Sequence, residues 1–411
     1  MSDFKRILGY EYLKLFRRKI IWITLGIMIL LSAFVICISD IGLNSDGQNI
    51  IQYIHENRQK ELEITGKPVD DVLFEEYKDK EYPHGLKYFL SCLLPSDQIQ
   101  TKNITEDNVY GERKKMLNRY MEKYKLREGE REYWENQESR IKVPFTYEDT
   151  AGERKLSAAF YTMAVMQIIF VAVAVPAIFA EEHFRKVNHI NFCCKYGKKT
   201  LYAAKITAGV TLSLGGTICL VLACVIPVLI LYGFYGLNTQ IQMIYPACSH
   251  SLTIGQVLAI QLLILLTAAV LESAFAMFCA EKLKSSTGTM AVMVGILLLS
   301  MAVNIPDQFR MASQLWLCIP SNALAIWNLL DCRLIPLFGK YFIQMQLLPI
   351  IYGGSCSGCW RWEATEDIEE YQAVKVKKQL WHLASLVCSI GVFVGLLYSY
   401  SVEVALMIHR R

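Results

Sequence analysis

The feature that most constrains the fold of this 411-residue chain is a series of separated apolar runs, each about twenty residues long. A bilayer with a hydrocarbon core of roughly 30 Å requires helices of this length, whereas the core of a soluble protein rarely does. We therefore expect an all-α membrane protein with about six transmembrane helices. The predicted spans cover residues 20–39, 157–180, 206–232, 257–280, 288–305 and 383–407.

The composition agrees with a membrane protein. Hydrophobic residues make up 53% of the chain and charged residues only 19%, whereas roughly a quarter of the residues are charged in ordinary soluble domains. The net charge is only +4, and the basic residues form no long stripe interleaved with aromatic residues. We therefore expect no nucleic-acid partner.

Two polar segments flank the first predicted span. Residues 1–19 place apolar side chains at helical spacing with most Lys and Arg side chains on the other side. This pattern predicts either a cytoplasmic helix lying in the membrane interface or a basic flank that orients the first span. Residues 40–156 are polar and rich in Glu, Lys and Leu, so they predict a water-exposed, mostly helical insertion between the first two spans.

The segment 306–382 precedes the last predicted span. Its part from Gln314 to Tyr352 is apolar but is interrupted by three prolines and three charged residues. Because charged residues inside the bilayer are costly, we expect re-entrant or interfacial helices here rather than a further pair of crossings. Pro176, inside the second span, predicts a kink.

The orientation follows from the Lys and Arg residues of the short loops, which concentrate on the cytoplasmic side. The segment 233–253, after the third span, contains no Asp, Glu, Lys or Arg. We therefore expect both termini in the cytoplasm, the insertion outside, and residues 383–411 as a last transmembrane helix with a cytoplasmic tail, all in the cell membrane. The basic residues that follow the second span are Arg185, Lys186, Lys195, Lys198, Lys199 and Lys205.

Several motifs suggest chemistry that their context does not support. Residues 197–200 read Gly-Lys-Lys-Thr but lack the upstream glycine of a phosphate-binding loop. Glu181 and Glu182 precede a histidine without an HExxH pattern, which disfavours metal chemistry. Cys356 and Cys359 form a CxxC pair with no second CxxC to complete a zinc site, so they predict an extracellular disulfide or two free thiols. We expect no catalytic residue, metal or cofactor in this chain.

Glu272 is nearly the only ionisable residue inside the predicted spans. An ion-coupled carrier usually needs buried carboxylates as proton or sodium sites, so the near absence of such residues disfavours that class of transporter. We interpret Glu272 either as one member of a structural pair or as a site facing a polar cavity.

Short motifs around the second span carry a family resemblance. They are Tyr133-Trp134, Pro144-Phe145, Phe179-Ala180-Glu181-Glu182, Lys195-Tyr196-Gly197-Lys198-Lys199 and Ala204-Lys205-Ile206. Through them the chain resembles the type 2 family of ABC-type exporter permeases, in a branch found in Gram-positive bacteria. The basic N-terminal segment, the helical insertion and the number of spans extend the likeness to the whole chain.

The resemblance implies a transport subunit without its own ATPase site. Two permease copies, as a homodimer or heterodimer, would work with a cytoplasmic ATP-binding-cassette ATPase that binds the ATP and Mg. A coupling loop over 181–205 would dock on that ATPase, and we expect export or extrusion of an amphiphilic peptide, lipid or drug. The alternative is a membrane sensor or assembly factor whose outer domain binds a ligand. The coupling residues implied are Glu181, Glu182, Lys195, Tyr196, Gly197, Lys198 and Lys199.

Overall fold

The computed structural model describes residues 2–37, 50–185, 200–337 and 340–354, and most of them are helical. In chain order the helices are α1 (Ser2–Phe16), α2 (Lys19–Cys37), α3 (Ile50–Ile64), α4 (Asp71–Glu76), α5 (His84–Leu93), α6 (Ser96–Thr101), α7 (Glu106–Lys123), α8 (Glu128–Glu138), α9 (Ala151–Ala174), α10 (Ala177–Phe184), α11 (Thr200–Leu231), α12 (Ile254–Leu283), α13 (Ser286–Ala302), α14 (Arg310–Leu317), α15 (Pro320–Ala323), α16 (Ile326–Leu329) and α17 (344–354).

Three sets of predicted features lie outside the described residues. They are the last predicted span at 383–407, the pair Cys356 and Cys359, and the coupling residues at 195–199. The structure therefore bears on five of the six predicted spans and on two of the seven predicted coupling residues, Glu181 and Glu182.

Four of the described helical segments are long and apolar enough to cross a membrane, as expected of a multi-pass membrane protein. They are α2, the pair α9 and α10 taken together, α11, and α12, and they coincide with the first four predicted spans. The fifth predicted span corresponds to α13, which is apolar but has only 17 residues. A helix of that length extends about 25 Å.

The second span lies at the centre of the bundle. In its most apolar stretch 72% of the residues are buried, against 28% in α2 and in α11, because α9 packs against α2, α11, α12 and α13. The helix is interrupted at Val175 and Pro176. Proline has no amide hydrogen to continue the helical hydrogen bonds, so the helix is interrupted at the residue where a kink was predicted.

Large apolar side chains cover the outer faces of the peripheral helices. Leu30 on α2, Ile230 on α11 and Leu298 on α13 are each at least 60% exposed, and each has further exposed apolar neighbours on its own helix. Soluble proteins rarely expose contiguous apolar surface on this scale. These faces are suited to contact with lipid hydrocarbon.

Helices α3 to α8 form a cluster at one end of the bundle, which we call the domain end, and α3 to α7 share an apolar core there. Phe89, Phe145 and Tyr147 are fully buried in that core, and most of the described residues from 50 to 156 are helical. The cluster is joined to the bundle by hydrogen bonds. Trp134 Nε1 donates to the Cys332 carbonyl oxygen at 2.6 Å.

Residues 303–354 cover the domain end of the bundle with short elements. Besides α14 to α17 they include an antiparallel ribbon of β1 (Ile335–Leu337) and β2 (Lys340–Phe342), which the sequence did not predict. None of the described elements here is long enough to cross a membrane, so the described part of the segment contains no further crossing pair. Several of its apolar side chains pack inside the protein instead: Leu324, Leu329 and Leu334 are completely buried.

Candidate functional site

The predicted coupling residues Glu181 and Glu182 lie on α10, at the end of the bundle opposite the helical cluster. The helix α1, the start of α11, the end of α12 and the start of α13 meet α10 there. We call this region the charged end. Its charged and titratable residues include Lys14, Arg18, Glu181, Glu182, His183, Arg185, Lys205, Glu281 and Lys284.

Glu182 ties α10 to α11 and α1. Its Oε2 lies 2.5 Å from Lys205 Nζ and its Oε1 lies 3.6 Å from Lys14 Nζ. Lys205 is only 4% exposed, and its ammonium group lies 5.1 Å from the centre of the Phe179 ring. A buried ammonium group requires a nearby carboxylate, so Glu182 serves as the counter-ion of Lys205.

Glu181 connects α10 to the start of α2. Its Oε2 forms an ion pair with Arg18, and its Oε1 lies 2.5 Å from Arg185 Nη2 on the same turn. Arg18 Nη2 also donates to the Ala177 carbonyl oxygen at 3.4 Å. That carbonyl belongs to the first turn of α10, so the guanidinium of Arg18 holds the helix that follows the proline break.

Two further contacts complete the junction. His183 Nε2 lies 2.9 Å from Glu281 Oε2, which connects α10 to the end of α12. On the other side, the Tyr12 hydroxyl lies 2.7 Å from Thr211 Oγ1, which connects α1 to α11, and Leu15 is buried in the same contact region. Contacts of α10 with α1, α11, α12 and the start of α2 therefore fasten five helices together at the point where the predicted coupling loop begins.

The sequence predicted the two glutamates but not their partners. Lys14 and Arg18 appeared only as part of a basic N-terminal segment, and Lys205 appeared as one of six loop cations. The available signal was the position of Lys205, which is followed directly by an apolar run. A lysine that continues into a span must either extend its ammonium group to the interface or find a carboxylate.

Glu272 lies between α9, α11 and α12 rather than at the charged end. Gln167 Nε2 donates to Glu272 Oε2 at 3.1 Å, and Thr217 Oγ1 donates to Gln167 Oε1 at 3.0 Å. All three side chains are buried. Glu272 Oε1 has no hydrogen-bond partner among the described residues, so the polar cluster holds three helices together while leaving one carboxyl oxygen unsatisfied.

A cavity of about 540 Å³ lies at the domain end, between α7, the loop before α12 and the elements of 303–333. Aromatic side chains, among them Tyr124, Trp316 and Trp327, line it together with Asp307 and several asparagines. Burial, together with the nearby aspartates, raises the pKa of Tyr124 to about 12. The cavity can therefore offer both aromatic surface and uncharged hydroxyl and amide groups to a ligand.

An ion pair forms the floor of this cavity. Arg333 Nη2 lies 2.6 Å from Asp331 Oδ2, and the Arg333 guanidinium carbon lies 5.1 Å from the centre of the Tyr124 ring. Arg333 Nη1 also donates to Ser313 Oγ at 2.7 Å. These contacts satisfy the arginine within the protein and fix the position of the aromatic wall.

Within the described parts of the chain, no group of three or more His, Cys, Asp or Glu side chains could hold a metal ion. Comparisons with family models, with curated proteins and with solved structures find no match.

Proposed function

We propose that this protein is the membrane-spanning permease subunit of an ATP-binding-cassette transporter, with ATP hydrolysed by a separate cytoplasmic subunit. The observation that supports it best is the charged end. The glutamates at the exit of the second span are ion-paired to α1 and α11, in the place where the resemblance expects a coupling loop. A rigid-body movement imposed on this loop would be passed to several helices at once.

The proline break allows α10 to move as a short rigid helix. Because Pro176 interrupts the helix, α10 can change direction relative to α9 without unwinding a continuous hydrogen-bonded helix. Lys205 would transmit such a movement to α11, since separating it from Glu182 would leave a charge buried without a partner. A force applied to the loop at the charged end would therefore change the tilt of α11 relative to α9, the central helix.

The proposal includes a topology and a class of substrate. The charged end would face the cytoplasm of a bacterial cell, the helical cluster would lie outside, and a second permease copy would complete the transporter. The cavity at the domain end combines Trp and Tyr rings with amide and hydroxyl groups, a lining that suits an amphiphile such as a peptide, a lipid or a drug.

The test is co-purification from the native host. We expect the full-length chain to retain an ATPase that contains a phosphate-binding loop, detected by mass spectrometry and by ATP hydrolysis. The double change Lys198→Ala and Lys199→Ala, in the predicted docking segment, should reduce the retained ATPase. The matched control is Lys123→Ala with Lys125→Ala, two lysines at the domain end, which should leave it unchanged.

A second pair of changes separates docking from coupling. Lys205→Gln with Glu182→Gln removes both charges of the buried pair, so neither is left alone. We expect the ATPase to remain bound while hydrolysis loses its response to added amphiphiles. If the purified chain instead carries no ATPase under any condition, or if the loop and control variants behave alike, the permease proposal is wrong.

A membrane sensor is the second candidate, and one observation favours it. Helices α3 to α7 share an apolar core, in which Leu86, Phe89 and Leu90 are completely buried. A domain with its own core could bind a ligand without any transport. A purified chain that binds an extracellular ligand and lacks an ATPase partner would support this candidate over the permease.

A further inference from the structure

A second cavity, of about 600 Å³, lies at the charged end. It is bounded by the start of α2, the proline break of the second span and the turn between α12 and α13. Small side chains create the space, since Ala172, Ala177 and Ala180 form the wall on either side of the break. Neither the predicted coupling function nor the polar cluster around Glu272 accounts for this cavity.

The rim of the cavity is positively charged. Arg18 and Lys284 both line it, against the single carboxylate of Glu181, which is also shared with Arg185. Lys284 is exposed, and its ammonium group forms no ion pair with any other residue in the described ranges. The rim therefore holds one cation that none of the described residues neutralises.

Hydrogen-bond donors lie beside that cation. Ser286 and Thr287, on the first turn of α13, also line the cavity. The Ser285 hydroxyl caps this helix by accepting from Gly288 N at 3.1 Å, so the amides of the two preceding helical residues have no partner within the helix. Hydroxyl and amide donors next to Lys284 are suited to the oxygen atoms of a phosphate group.

The mouth of the cavity is surrounded by exposed apolar side chains. Phe184 is 85% exposed, Ile20 is 58% exposed and Met290 is 37% exposed, and all three line the cavity. Trp22 lies nearby on α2 and is half exposed, as is common for tryptophan at the level of lipid headgroups. A ligand for this place needs a negative head for the rim and hydrocarbon for the mouth.

We propose that this cavity binds an anionic phospholipid, with its phosphate group at Lys284, Arg18 and the start of α13 and its acyl chains along Ile20, Phe184 and Met290. Basic pockets between transmembrane helices bind anionic headgroups by the same combination of charge and apolar surface. The lipid would contact α10 directly beside the proline break, so it would stabilise one direction of that helix. This inference depends on the chain lying in a membrane but not on an ATPase partner.

Native mass spectrometry of the delipidated, full-length protein tests the proposal. Dioleoyl phosphatidylglycerol should be retained in preference to dioleoyl phosphatidylcholine, which has the same chains without net charge. Lys284→Gln should weaken phosphatidylglycerol retention about fivefold, the effect of one basic residue near a membrane surface, and should not affect phosphatidylcholine. Because Lys284 is exposed and carries no ion pair within the described residues, this change should not disturb folding.

Lys282→Gln is the matched control, since Lys282 lies at the same end of α12 but does not line the cavity. It should leave phosphatidylglycerol retention unchanged. Equal retention of the two lipids, or equal effects of the two lysine variants, would overturn the proposal. A third arm adds inorganic phosphate: full displacement of the lipid by phosphate would show that the rim binds a free anion and would overturn the assignment of a lipid.

Discussion

At the scale of single residues, buried charges and their partners decide how the candidate site is organised. Glu181 and Glu182 could be selected from the sequence because they end an apolar run beside a basic loop. Their pairing with Arg18 and Lys205 could not, because it depends on how α1 and α11 pack against α10. Sequence spacing identifies which residues are charged at a helix end, whereas tertiary contacts decide which charges become buried.

Glu61 shows the same dependence on contacts at the domain end. Its side chain is buried, accepts a hydrogen bond from Gly85 N at 2.7 Å, and accepts a second one from the Tyr147 hydroxyl. Burial raises the pKa of Glu61 above 4.5, although the two hydrogen bonds oppose the increase. The native protein therefore binds this proton more tightly than the unfolded chain does.

We expect the Glu61 contribution to stability to be complete below pH 4.5 and to be lost as the pH rises through the higher native pKa. Glu61→Gln keeps an oxygen acceptor and removes the charge, so the wild-type protein should lose stability relative to this variant as the pH rises above 4.5. Thermal unfolding at a series of pH values measures the difference. Glu63→Gln, on an exposed position of the same helix, is the control, and a difference that does not vary with pH would contradict the expectation.

At the scale of helices, the sequence predicted the described spans well but placed their starts too late. The second span was expected to begin at 157, yet α9 begins at Ala151. Hydropathy falls at the charged residues there, but Glu153 accepts a hydrogen bond from Gly236 N at 2.7 Å and the Arg154 guanidinium carbon lies 3.9 Å from the centre of the Tyr88 ring. The helix continues because tertiary partners satisfy its polar side chains.

Packing between elements also explains the apolar composition of the segment that precedes the last predicted span. Residues 314–352 are apolar because Leu324, Ile326 and Leu329 pack into the core that they share with α9 and α12, rather than because they cross a membrane. Hydropathy alone cannot separate these two causes of an apolar composition. The prolines and charged residues of the segment indicated short elements, and none of its described elements is long enough to cross a membrane.

The docking of α1 on α11 gives a prediction at the scale of elements. Tyr12 contacts Thr211, whereas Tyr10, on the same helix, is 61% exposed. Tyr12→Phe should remove a hydrogen bond worth about 1 kcal/mol and so increase amide hydrogen exchange in α1 about fivefold, as measured by mass spectrometry. Tyr10→Phe is the matched control, and equal exchange in both variants would show that the Tyr12 contact does not hold α1.

At the scale of the whole molecule, the two ends of the helix bundle form chemically different surfaces. The domain end carries a folded polar cluster, the charged end carries ion pairs and the predicted coupling loop, and apolar faces lie between them. The sequence predicted this order from the positions of the apolar runs and of the polar segments between them, since the order requires only the number of spans and the loops that join them. It could not predict the cavities, because each is lined by residues from distant parts of the chain.

The orientation of these two ends is directly measurable. Val72→Cys lies on an exposed position of the helical cluster, and Lys284→Cys lies at the charged end. With the 13 native cysteines as background, a membrane-impermeant maleimide should add label to Val72→Cys in intact cells and to Lys284→Cys only after permeabilisation. The opposite pattern, or protection of both positions in intact cells, would rule out the assigned orientation.

The burial of α9 among four neighbouring helices determines where this protein can tolerate change. On the lipid-facing sides of α2 and α13, one apolar side chain can replace another of different volume with little effect. Most side chains of α9 fill spaces shaped by several partners. On α11, for example, a side chain at Gly216 would collide with the ring of Phe170 on α9. In a saturation mutagenesis experiment, substitutions by larger side chains should therefore be tolerated least along α9 and most on the lipid-facing sides of α2 and α13.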